Sequence, residues 1–174
     1  MIVESIKTEY QRYKSLAEMA LAQVRDDDLH RVIGEDGNSI AVIINHISGN
    51  LKSRFTNFLT EDGEKSWRER DEEFAEHSED RTILLKKWDA SWGILFDELN
   101  SLDDSGLGKA VRIRGQELTV SDALHRSLAH VANHVGQIVL MARIHIGREW
   151  QSLSIPRGQS QEYNLKPTKE RQPN

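Results

Sequence analysis

The first 155 residues of this 174-residue chain contain no proline, and Pro156, Pro167 and Pro173 all fall in the last 19. A proline inside a helix removes a backbone hydrogen bond and clashes with the preceding turn. Its absence therefore permits long helices without requiring them. The positive signal is apolar spacing. Residues 2–24 place Ile2, Ile6, Tyr10, Tyr13, Leu16, Ala17, Ala20 and Val24 mostly three and four apart. Asp26-Asp27-Asp28 and Gly34-Glu35-Asp36-Gly37 break that pattern. Asn38 and Ser39 are suitable N-caps for a second helix over 39–60, with Ile40, Ile43, Ile44, Ile47, Leu51, Phe55 and Phe58 as its apolar stripe. A third helix is predicted over 81–102, from Leu84, Trp88, Trp92, Leu95, Phe96, Leu99 and Leu102. Residues 109–120 alternate around Arg114-Gly115-Gln116 and read as a short hairpin or extended piece. A fourth helix starts at Ser121-Asp122 and runs to Ile146, with Gly147 as its stop.

Four amphipathic helices of this length predict an all-α fold, an antiparallel four-helix bundle with a short hairpin or extended segment between helices three and four. The bundle is expected over 1–147, followed over 148–174 by a polar, proline-containing, irregular tail. Residues 61–80 carry ten acidic side chains against three basic ones and read as a solvated connection. Trp67 and Phe74 inside it imply that part of it packs back on the body.

Composition removes several function classes. The chain has no Cys, so disulfides, Cys-ligated zinc, iron–sulfur clusters and a Cys nucleophile are out. Its net charge is -5 and no Lys/Arg-rich block is present, which argues against nucleic acid as a partner. No apolar run approaches the roughly 18 residues of a membrane span. Charges in MIVESIKTEYQRYK occupy the place of a signal peptide's apolar core, so the expected location is the cytoplasm.

The seven histidines separate by helix face. His30 and His77 fall in polar connections and His125 on the outer face of the fourth helix, so all three read as solvated. His130 and His134 stand one turn apart, bordering the apolar stripe of the fourth helix with Ala123, Ser127, Gln137 and Met141 beside them. His145 returns to that side, but about 16 Å further along. On the second helix His46 borders the stripe in line with Asn50, Ser53 and Asn57. Neighbouring helix axes lie about 8–10 Å apart, so imidazoles on facing borders can meet. Two readings fit: core-edge histidines hydrogen-bonded to Asn, Ser or Gln, or a three-histidine metal site with an open coordination position. In the second, Asn50 and Gln137 are placed to orient ligands or substrate. The chain has no Glu-x-x-His and no His-Glu-x-x-His sequence, which disfavours a di-iron carboxylate bundle and a zincin protease.

At Asn45-His46-Ile47 and His130-Val-Ala-Asn-His134-Val-Gly-Gln137-Ile138, with the same order of three helices, a short extended piece and a fourth helix, the chain resembles the DinB/YfiT-like superfamily of metal-dependent four-helix-bundle proteins. The resemblance covers residues 1–147. It implies a divalent metal, zinc or nickel foremost, held by His46, His130 and His134, and a homodimer acting on a small molecule. Characterised members include S-transferases that use the low-molecular-weight thiols bacillithiol or mycothiol, and a maleylpyruvate isomerase. On this basis the leading expectation is a metal-dependent thiol transferase, with Arg54, Trp67 and Arg68 shaping the substrate pocket. The more ordinary roles are a salt-bridged Arg54 and a Trp67 that merely packs a loop. The alternative function is a non-catalytic dimeric metal-binding or stress-response module.

Overall fold

The computed structural model describes residues 1–75 and 78–168. His77 and Pro173 lie outside that range. The protein is mainly helical, with one two-stranded sheet. In chain order the elements are α1 (Ile2–Leu21), a single-turn α2 (Asp26–Leu29), α3 (Ile40–Phe55), α4 (Arg81–Ser101), strands β1 (Ala110–Ile113) and β2 (Gln116–Thr119), α5 (Val120–Ile146) and a short α6 (Ser160–Leu165).

Each long helix buries its apolar stripe on the others. α3 packs closely along α4, and α1 along α5; thinner contacts join α3 to α5 and α1 to α4. Tyr10, Trp88, Trp92, Ile47, Leu51 and Leu95 are fully buried where they meet. Polar groups fasten the helix ends. The Asp104 carboxylate accepts hydrogen bonds from the first free amides of α1, Ile2 N and Val3 N, both at 2.9 Å. Ser39 Oγ accepts from Val42 N at 3.2 Å and caps α3. α5 begins at Val120 rather than Ser121, because Thr119 and Asp122 form a reciprocal capping box.

Four sequence-based expectations need correction. The second helix stops at Phe55, five residues early: Thr56 is extended and Asn57 takes a left-handed φ of 51°. The acidic run Asp26-Asp27-Asp28 that breaks the first apolar pattern is not wholly irregular: it forms the single turn α2, with Asp28 and Leu29 buried. The tail is not wholly irregular either, because α6 forms in it.

The fourth correction concerns the connection between α3 and α4, which is a packed strap. Its backbone is caught by the polar rim of α3: buried Ser53 donates through Oγ to Gly63 O at 2.7 Å and accepts from Lys65 N at 3.3 Å. The Lys65 and Arg68 side chains are 5% and 2% exposed. The strap is also tied to the hairpin. Gly63 N donates to Arg112 O at 2.8 Å, and Asp62 accepts from Arg114 N and Gly115 N at 2.8 and 2.7 Å. Arg114 and Gly115 both have positive φ, 55° and 71°, as a two-residue hairpin turn requires.

Candidate metal centre

His46 comes from the middle of α3, and His130 and His134 from the middle of α5, where the two helices meet along a thin seam. His46 is buried; His130 and His134 are half-buried. One ring nitrogen from each lies within 4.8 Å of the other two. His46 Nε2 and His130 Nε2 are 3.0 Å apart.

The outer nitrogens determine which ring atoms face inward. His46 Nδ1 donates to Glu73 Oε2 at 3.0 Å. His134 Nδ1 donates to Gln137 Oε1 at 2.9 Å. Both bonds leave an Nε2 lone pair directed at the shared space. His130 Nδ1 is buried without a hydrogen-bond partner. Burial, reinforced by the neighbouring His134 and His46, pushes the His130 imidazole down to about 4. Burial also lowers His134, although its bond to Gln137 works the other way. Both rings are thus held neutral, the form that ligates a metal.

Tetrahedral zinc, with bonds of about 2.0–2.1 Å, wants its nitrogens about 3.3 Å apart. The observed cluster is close enough to reach that by side-chain adjustment. A set of three imidazoles suits zinc or nickel and is a poor set for magnesium or calcium. The residues therefore fit a divalent transition-type ion.

Glu73 was not singled out from the sequence. It lies in a 3-10 turn, Asp71–Phe74, within the strap. Arg68 grips it from behind, Nε to Oε1 at 2.7 Å and Nη2 to Oε2 at 2.9 Å. Burial alone would raise the Glu73 carboxyl, but the bonds to His46 and Arg68 outweigh it and hold the group below its ordinary value. Phe74 packs on the His46 ring at a centroid distance of 4.7 Å. Gly49 makes the approach of Glu73 possible: a Cβ built there would lie 2.1 Å from Glu73 Oε1. The glycine alone is no signal of such an approach, since a Cβ built at Gly93 in α4 or Gly136 in α5 would meet nothing within 4 Å.

A cleft of about 410 Å³ opens over the histidines. Of the five residues expected around the site, Asn50, Arg54 and Arg68 line it. Gln137 does not line it and acts on His134 instead. Trp67 stands apart, 49% exposed, with Lys52 Nζ 5.0 Å above its ring. Among the residues read as solvated, His30 and His125 are exposed. His145 is half-buried near the far end of α5, away from the cluster.

A helical protein with three convergent imidazoles at the base of an open cleft is a recognisable class, a candidate metalloprotein. More particularly, the chain belongs to the family described as protein of unknown function DUF1572, which matches residues 1–159. No curated protein and no solved structure matches it. Among the described residues, no helix is long and apolar enough to cross a membrane.

Proposed function

We propose that the protein is a metal-dependent enzyme of the DinB/YfiT type, an antiparallel four-helix bundle whose divalent ion, zinc or nickel, is held by His46, His130 and His134. The observation that carries this is the convergence of the three ring nitrogens within 4.8 Å from two helices, with two of the outer nitrogens already committed to Glu73 and Gln137. A bound divalent ion supplies Lewis acidity, lowering the pKa of a water or thiol in its open position. Glu73 fixes the His46 ring and its tautomer, and Gln137 does the same for His134. Structural zinc usually has four protein ligands, whereas here three histidines face a cleft, which favours catalysis over a purely structural ion.

The reaction class we favour is S-transfer from a small-molecule thiol to an electrophilic substrate. The thiol loses its proton, a carbon–sulfur bond forms, and the leaving group departs with the electron pair. The sulfur must arrive with that thiol, since the chain has no Cys. A homodimer is the assembly the resemblance implies, and the cytoplasm is the location we propose.

The test is metal content after chelator stripping and reloading with zinc or nickel. One ion per chain in the wild type and none in His46→Ala supports the centre; equal content in the two refutes it. Thiol-conjugation assays with bacterial low-molecular-weight thiols come next. A loaded protein that neither turns over nor binds any of them is a non-catalytic module.

A further inference from the structure

The walls of the cleft carry a charge pattern that the metal reading does not use. Five arginines line it: Arg54 from α3, Arg68 and Arg70 from the strap, Arg114 from the hairpin turn and Arg126 from α5. Among the described residues no Asp or Glu lines it, in a chain where acidic residues outnumber basic ones by 28 to 23. Four separate elements thus bring cations to one concavity against the overall charge of the molecule.

Neighbouring carboxylates compensate this charge only in part. Glu64 Oε2 is shared among Arg54 at 3.0 Å, Arg114 at 3.1 Å and Arg68 at 3.7 Å. Glu73 holds Arg68, and Asp71 lies 3.7 Å from Arg70. The Arg126 guanidinium makes no hydrogen bond or ion pair with the described residues. Donor capacity is left over even on the buried members. Arg54, whose side chain is 13% exposed, uses only Nη1, on Gly63 O and Glu64. Arg68, whose side chain is 2% exposed, uses Nε and Nη2 on Glu73, while its buried Nη1 has no hydrogen-bond partner. Burying guanidinium groups is costly unless an anion satisfies them. Planar, multiply donating guanidinium is also the group that best matches a carboxylate or phosphate edge.

We infer that the cleft binds the oxyanion end of its substrate, a carboxylate, phosphate or sulfonate, with Arg126, Arg54 and Arg68 as its docking groups. This deepens the reading above and rests on it for the role of the histidines as the reacting end. The arginines hold the anion while the reacting part of the molecule faces the imidazoles. Ile113, which also lines the cleft, supplies an apolar wall.

Calorimetric titration with sulfate (a tetrahedral oxyanion) and succinate (a carboxylate) tests it. The protein is used zinc-loaded and chelator-stripped, with chloride holding ionic strength constant. At least one anion is expected to bind both forms, about tenfold more weakly in Arg126→Gln, the scale of one charge-assisted hydrogen bond. Arg148→Gln, outside the cleft, is expected to match the wild type. The responding anion tells phosphate-like from carboxylate substrates. Binding that needs zinc and ignores Arg126→Gln makes the anion a metal ligand only and overturns the inference. So does the absence of binding by either anion in a protein that takes up zinc. Anion binding lost in Arg126→Gln, in a protein that takes up no zinc, upholds the arginine site and refutes the metal centre instead.

Discussion

Substituting Gly49 by Ala separates folding from metal binding in a way few changes here can. The new methyl carbon would sit 2.1 Å from Glu73 Oε1 and 2.6 Å from its Cδ, so the carboxylate must withdraw by more than an ångström. The displaced atoms are the end of a flexible side chain, and the helix itself meets no obstacle. For the fold, Ala in a helix interior is worth about 1 kcal/mol over Gly. Against that stands the loss of Glu73's charge-assisted bonds to His46 and Arg68, about 1.5–3 kcal/mol apiece at most. Over both partners, and less the gain from Ala, the net cost is at most about 2–5 kcal/mol, a Tm drop of about 4–20 °C for a chain of this size. For the ion the consequence is larger, because His46 loses the partner that fixes its tautomer. Removal of such outer partners costs about 10–100-fold in metal affinity. Competition titration with a chromogenic zinc chelator measures the affinity, and thermal unfolding of the stripped protein measures the fold. Glu73→Gln, which keeps the shape and removes the charge, should weaken zinc to a similar degree with Gly49 intact. Zinc affinity within twofold of wild type in both variants would refute the role given to Glu73.

Three further outcomes follow from the geometry. In the metal-free protein, His130 is neutral in the fold with a pKa of about 4, against an ordinary 6.5, so the unfolded chain binds more protons between those values. Stability should therefore fall as pH drops from 6.5 towards 4, and denaturant midpoints for wild type and His130→Gln should converge at the acidic end. Thr119→Ala removes half of the α5 capping box and should cost about 1 kcal/mol, read as a Tm loss of about 2–4 °C. Asp62→Ala leaves the turn amides of Arg114 and Gly115 without their acceptor. Faster hydrogen exchange at both is expected, with a stability loss of about 1–2 kcal/mol by denaturant titration.

What was legible in the sequence is what has a period. Ile43, Ile47 and Leu51 on one helix and Val131, Val135 and Ile138 on the other fix which faces turn inward. The borders of those faces allow His46, His130 and His134 to meet, as they do, although spacing alone leaves core-edge histidines as an equal reading. Asn50 and Ser53 were legible on the same grounds, as polar members of the His46 rim. The strap was legible only in part: Phe74 and Arg68 marked it, but the rest of its contributions are single residues without repetition. Glu73 reads as one acid among ten, and only the bonds at Ser53, Asp62 and Arg68 turn that acidic run into ordered structure. The early end of α3 was hidden for a related reason: Phe58 keeps the apolar spacing after the backbone has left the helix at Thr56.

The molecule consists of two tightly joined helix pairs, α3 with α4 and α1 with α5, meeting across thinner seams. The histidine cluster lies on one of those seams, with His46 on one side and His130, 84 residues further along the chain, on the other. Any ligand that draws all three imidazoles to itself must clasp both halves at once. Its binding free energy is then also the free energy that keeps the halves in register. In a protein without disulfides, occupancy of this site would set how rigidly the cleft keeps its shape, and loss of the occupant would be felt first as slippage between the halves.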